Sequence, residues 1–344
     1  MPGWMGVAQS QLTVNYNNQV GINMNLKKAF FEAVALRDAA KNTGRTYWAC
    51  LVKFYQFTRK PASQWSGPDV ERWLIELHRL DFAPKSRKQA LCALVFCFKH
   101  VLKRDLGTLN LPPMPKERQT LKTIPTRQEL GRIFAGLHGQ VKLMAGLMYG
   151  SGLRVGECCK LRVQDIDIDA RTVRIWNGKG DKSRLTVLAS AVIPSLRRHI
   201  EWRAALHDMD SANGCGLVEL PHRLAMKYKT ANRDLRWQWL FPSTVIRGQY
   251  RWHTTDESVA KQMRAAVRAA GIIKRITPHT LRHAFATHAM QSGNDPRTVQ
   301  DLLGHESLET TMIYLHADAA RGFSPMDVAP PKLIDRDNPM MMLA

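Results

Sequence analysis

The 344-residue chain has no long hydrophobic run. Its longest, Leu91 to Phe98, falls far short of the ~20 apolar residues that a bilayer-spanning helix needs. The first 25 residues are polar and rich in Asn and Gln, without the apolar centre of a secretion signal. Six cysteines, at positions 50, 92, 97, 158, 159 and 215, show no C-x-x-C spacing and sit mostly inside apolar stretches. That excludes a disulfide framework or a zinc knuckle and predicts buried, reduced thiols. No internal repeat and no low-complexity tract appears. Acidic residues are in short supply, 29 against 50 Lys plus Arg, for a net charge of +21. A surplus that large attracts a polyanion, and nucleic acid fits it better than a membrane surface. A small anionic substrate is the rival reading. The expectation is a cytoplasmic, nucleoid-associated protein of two domains, with 44% hydrophobic residues for ordinary cores.

From Asn25 to Leu106 four segments repeat apolar residues at three and four: "LKKAFFEAVALRDAA", "TGRTYWACLVKFYQFTRK", "GPDVERWLIELHRL" and "PKSRKQALCALVFCFKHVLKR". Each predicts a short helix, with Pro68 and Pro84 near starts. "LNLPPMPKERQTLKTIP" has no period and predicts a linker at 111–124 between a helical domain, 25–110, and a second domain, 125–320. Residues 1–24 are an N-terminal extension and 321–344 a C-terminal tail whose "PPKLID" and Met-rich end suit docking on a neighbouring protomer. "TRQE" at 126–129 is a capping box, and a further helix, Val141 to Met148, stops at Gly150-Ser151-Gly152 with Arg154 at the head of the next. "TVRIW" and "RLTVL" alternate in period two around "NGKGDKS", whose Gly178 and Gly180 permit a tight hairpin with Lys179 at its tip. Thr277-Pro278 opens a helix that Gly293 stops; Asp295-Pro296 opens another that Gly304 stops, and Ser307 caps a short helix carrying Tyr314. The fold class is therefore mainly α with a small antiparallel β-sheet.

"TPHTLRHAFATH", residues 277–288, sets His279, Arg282 and His283 on one turn. A metal site, a phosphate-holding cluster and the wet side of an amphipathic helix compete to explain it. The i, i+4 histidines have a metal-ligand spacing, but no Glu follows His279 and the adjacent arginine opposes a cation. Arg154, Lys179, His279, Arg282, His305 and Tyr314 all fall at helix starts, a hairpin tip or loops, where side chains can converge. That set suits phosphodiester cleavage by a tyrosine. Two arginines supply bidentate donors to the non-bridging oxygens as charge grows in the pentavalent transition state. Tyr314 needs a base or cationic surroundings, and the departing 5′ hydroxyl needs an acid; His279 and Lys179 are the candidates.

Through "GSGLRVGE", "GKGDKSR", "TPHTLRHAFATH" and "LLGHESLETTMIY" the chain resembles the tyrosine recombinases, or phage-type integrases, from about residue 25 to 320. The resemblance implies a helical, SAM-like core-binding domain followed by a catalytic domain, and a 3′-phosphotyrosyl bond at Tyr314. It implies catalytic roles for Arg154, Lys179, His279, Arg282, His305 and Tyr314, with His305 hydrogen-bonding the scissile phosphate and Glu157 as structural support. No metal or nucleotide is implied, and recombination implies four protomers on two DNAs. Gly156 stands where the family often has Ser.

An insert at about 215–255 adds "LPHRLAMKYKTANRDLRWQWLFPS", which is similar to the insert of integron integrases, as is the run from Arg297. After Pro242 the chain departs from that pattern, with only "RWH" at 251–253 in place of two arginines and paired histidines. The likeness implies inserting and excising gene cassettes at folded single-stranded attC-type sites. Lys227, Lys229, Arg233 and Arg236 would grip phosphates, and Trp237, Trp239, Pro242 and His253 would stack on extrahelical bases. A hydrophobic anchor for the insert is the other reading of the tryptophans. The alternatives are a Xer-like or phage-type recombinase of duplex sites and a non-catalytic DNA-binding accessory protein.

Overall fold

The computed structural model describes residues 24–37, 41–111, 123–176, 183–220 and 222–304. Within them the chain is mostly helical, and it divides into two units, Met1–Thr120 and Leu121–Ala344. The linker centre, the hairpin tip with Lys179, and the segment with His305 and Tyr314 lie outside the described residues.

Among the described residues of the first unit there are four α-helices: α1 (Met24–Ala35), α2 (Lys41–Thr58), α3 (Gly67–Arg79) and α4 (Pro84–Cys97). Their apolar stripes meet in a core rich in aromatic rings, where Phe54 packs 5.0 Å from Trp65 and 5.2 Å from Trp73. Ser66 and Asp69 cap α3 reciprocally. The fourth helix was expected to run through residue 104. Instead it widens into a π turn at Phe98–Leu102, and Lys103 takes a left-handed φ of 53°. That exit turns Arg104 onto the carbonyls of Ala62, Ser63 and Trp65. Cys97, Cys158 and Cys159 are buried as expected, but Cys92 is exposed: it falls on the solvent side of α4, which composition alone does not reveal.

In the second unit, α5 (Arg127–Ala135) starts at the Thr126/Glu129 capping box. The mainly apolar α6 (Gly139–Gly150) is buried in the core from Leu143 onward and packs against α11 (Pro278–Gln291). After α7 (Val155–Cys159) comes a three-stranded antiparallel sheet, β1 (Ile166–Asp167), β2 (Thr172–Ile175) and β3 (Arg184–Val187), in the order β1-β2-β3. Its register sets Val173 opposite Thr186 and Ile175 opposite Arg184. The long α8 (Ile193–Ala212) leads into the insert, with α9 (His222–Lys227) and the antiparallel pair β4 (Pro242–Arg247) and β5 (Tyr250–His253). The chain continues through α10 (Asp256–Ala269), then α11 and α12 (Pro296–Leu303), the last capped by Asp295 and ended by Gly304 at φ 63°.

Candidate active site

Gly152 decides where Arg154 emerges. Its φ of +67° suits glycine, and a Cβ there would lie 2.8 Å from both Leu303 and Phe285. The backbone of 152–154 is thereby pressed against α11 and α12. Arg154 then caps α7, and its amide donates to Glu157 Oε2 at 2.8 Å while its Nη1 donates to Glu157 Oε1 at 2.6 Å.

Glu157 is the hub of the site. Besides Arg154 it accepts two bonds from Arg184, Nη1 to Oε1 at 3.0 Å and Nη2 to Oε2 at 2.7 Å. Arg282 approaches the same carboxylate at 3.8 Å. Burial alone would raise the Glu157 pKa, but the Arg184 and Arg154 bonds outweigh it and hold the carboxyl down at about 2. Three guanidiniums around one carboxylate leave two positive charges of three uncancelled, in surroundings partly closed to water. An anion is the natural counterpart.

Arg282 is itself buried on α11. Its Nη1 donates to the Gly152 carbonyl and its Nη2 to the Leu303 carbonyl, both at 2.6 Å. It thus ties the break after α6 to the end of α12, immediately before the position of His305. His279 lies exposed on the first turn of α11 and His283 is half-buried on the second. Among the described residues no three His, Cys, Asp or Glu side chains gather as metal ligands. At Gly156 a Cβ would only touch the Asp256 carboxylate at 3.4 Å, so a serine would fit there. Arg154, Arg282 and Glu157 are therefore brought together, while Lys179, His305 and Tyr314 lie outside the described residues.

Arg184 was not singled out from the sequence, although it ends the "GKGDKSR" motif. Its partner is 27 positions away, a relation that spacing does not disclose.

The insert is held by buried arginines. Arg162 donates to the Trp237 and Glu219 carbonyls and stacks 3.9 Å from the Trp239 ring centre. Arg203, fully buried, donates to the Trp239 carbonyl at 3.0 Å and to Gln238 at 2.7 Å. Arg251 pairs with Asp210. Trp239 and Pro242, expected to stack on bases, are instead buried; Trp239 joins Val218, Leu220 and Ala231 in a small core beneath Arg162. Trp237 packs partly buried against that core. His253 is half-buried, edge-on to Trp239 at 5.1 Å, with Nδ1 bonded to the Thr254 carbonyl. The exposed aromatics of the insert are Tyr228 and Tyr250, which with Trp252, Lys229, Asn232 and Val218 line an open pocket of about 420 Å³. Lys227, Lys229, Arg233 and Arg236 are exposed, and Lys227 lies 5.3 Å from the Tyr228 ring. Arg236 already grips Asp234.

The Phage integrase family matches residues 126–321, and its N-terminal SAM-like domain matches residues 26–108. An integrase/recombinase of Escherichia coli is 38% identical over 303 residues, covering 84% of this chain and 89% of the relative. A tyrosine recombinase XerC of Halalkalibacterium halodurans is 29% identical over 262 residues, 73% of this chain and 78% of the relative. The fold is similar to the XerH site-specific recombinase solved on its difH substrate, with a TM-score of 0.58, 21% identity and coverage of 85% of this chain and 81% of that one. It is equally similar to the Tn1549 transposon integrase solved with transposon right-end DNA, with a TM-score of 0.58, 16% identity, and 86% and 96% covered. With both domains matched in chain order and a relative 38% identical over most of its length, this chain belongs to the phage integrase family of tyrosine recombinases.

Proposed function

We propose that the protein cleaves and rejoins DNA through a 3′-phosphotyrosyl bond at Tyr314. The observation that carries this is the cluster of Arg154, Arg282 and Arg184 around Glu157, a preformed group of cations with a net positive charge that suits an anion. Attack by the Tyr314 oxygen forms the tyrosyl ester and breaks the bond to the 5′ oxygen. Arg154 and Arg282 take up the charge that grows on the non-bridging oxygens, with His305 as a further donor. Lys179 protonates the leaving 5′ oxygen, and His279 assists removal of the tyrosine proton. Bond energy is kept in the ester, so rejoining needs no outside supply. Exchange between two sites takes four protomers. The test is a nicked suicide DNA incubated with the protein in EDTA. A covalent protein–DNA band is expected, and a non-catalytic accessory protein would give none.

For the substrate, the insert supports an integron integrase-like reading, in which the enzyme moves gene cassettes at folded single-stranded attC-type sites. Extrahelical bases have open faces, and Tyr228 and Tyr250, beside Lys227 and Lys229, offer stacking and phosphate contacts at one pocket. Trp237 and His253 border the buried Trp239 and Pro242, which serve as the anchor beneath; Arg233 and Arg236 add positive charge on the exposed side. A second reading, a Xer-like recombinase of duplex sites, is favoured by the XerC relative. Binding measured on a bulged hairpin and on its fully paired duplex separates the two. Preference for the hairpin supports the first, and equal or stronger duplex binding the second.

A further inference from the structure

Arg184 is unlike the other two arginines of the site in how its guanidinium is engaged. Arg154 is 25% exposed, whereas Arg184 at 10% and Arg282 at 6% are largely buried, and of these two it is Arg184 that gives both Nη groups to Glu157, where Arg282 gives its own to the Gly152 and Leu303 carbonyls. All three kinds of its nitrogen are engaged inside the protein: Nη1 and Nη2 with the two Glu157 oxygens, and Nε with the Leu302 carbonyl at 3.0 Å. Gly304 makes this possible, because a Cβ at its φ of +63° would lie 2.8 Å from Arg184 Cδ. One guanidinium at the start of β3 thus joins the carboxylate one turn after Arg154 to the last turn of α12.

We infer that Arg184 is a positioning residue for strand cleavage: it saturates Glu157 so that this carboxylate does not compete with the scissile phosphate for Arg154 and Arg282. This rests on the proposed phosphotyrosyl chemistry. A carboxylate has about four acceptor sites. Glu157 spends two on Arg184 and two on the amide and Nη1 of Arg154, and Arg282 waits at 3.8 Å. Without Arg184, half the acceptor capacity of a buried anion is unmet, and among the described residues the cations at hand are the two proposed to hold phosphate. Glu157 would swing to them, since a buried charge left unpaired is costly. A lysine there restores the charge but presents a single point donor, which cannot bind both carboxylate oxygens and the Leu302 carbonyl in one plane.

The test uses single-turnover cleavage of the nicked suicide DNA by the parent, Arg184→Ala and Arg184→Lys, with DNA affinity and thermal unfolding measured beside it. Each strand is made twice, once with an ordinary scissile phosphate and once with a neutral methylphosphonate, which places less demand on the guanidiniums. Both variants are expected to bind DNA within about threefold of the parent and to cleave the phosphate ~10²-fold more slowly, the scale for loss of one transition-state donor. On the methylphosphonate the gap should close to within about tenfold, as less charge needs neutralising. Arg184→Lys, which keeps the ion pair's charge, guards against misfolding of Arg184→Ala. Cleavage by Arg184→Lys within about threefold of the parent overturns the inference, as do equal defects on both substrates, which mark loss of folded protein. A parent that forms no adduct on either substrate removes the phosphotyrosyl reading and this inference together, and is told apart from a failure confined to the variants.

Discussion

The Arg162 guanidinium lies 3.9 Å from the centre of the Trp239 ring and donates to the Glu219 carbonyl at 2.8 Å, so one buried cation pins both strands of the chain that enter and leave the insert. Burial lowers its pKa to about 10, which leaves it charged at neutral pH. Arg162→Ala removes the stacking contact and strands two carbonyls. The expected loss is roughly 2–4 kcal/mol of stability, read as a fall in the thermal midpoint. A change under about 0.5 kcal/mol, the ordinary scatter of surface substitutions, would make the contact incidental.

Tyr314→Phe is expected to abolish the covalent adduct while leaving DNA affinity nearly unchanged, because a single oxygen is lost and it is the proposed nucleophile. An adduct formed by the Phe variant would move the nucleophile elsewhere in the chain.

Arg154→Ala and Arg282→Ala are each expected to slow cleavage by ~10² or more. They should differ in stability. Arg282 is buried and holds the Gly152 and Leu303 carbonyls, whereas Arg154 is a quarter exposed, so the Arg282 variant should melt lower. Equal melting of both would detach Arg282 from its structural task.

Acid should weaken the fold through two buried histidines. Burial, with Arg203 adding to it at His199 and Arg127 at His288, lowers both pKa values to about 4 from 6.5. A folded pKa below the unfolded one means that the unfolded chain binds more protons in between. Stability is therefore full above about pH 6.5 and declines as pH falls towards 4. Denaturant midpoints across that range should show the slope, and His288→Gln should reduce it; a flat profile from 6.5 to 4 would contradict the burial of these rings.

The helices were legible because their signals are local. The apolar stripe of α2, the Thr126/Glu129 box and the Asp295 cap each lie within a few residues, and each appears where the pattern predicts. The pairing of β2 with β3 followed from alternation around Gly178 and Gly180. Other features depend on distant partners. Trp239 reads equally as a stacking ring or a core ring until Arg162, 77 positions earlier, covers it. Arg184 reads as one more basic residue beside Lys179 until Glu157 is set against it. The β4–β5 pair was missed because its exposed strands, with Val245, Ile246 and Tyr250 facing solvent, lack the alternation that a half-buried strand displays.

Anchoring by Arg162, Arg203 and Arg251 has a thermodynamic consequence for whatever the insert binds. A surface nailed down by buried cations loses little freedom when a ligand arrives, so little of the contact energy is spent on ordering it. The same stiffness makes it a ruler. On the proposed reading, nucleic acids that present their protruding groups at the span of Tyr228 and Tyr250 would be accepted as they are, and those with another spacing would have to deform.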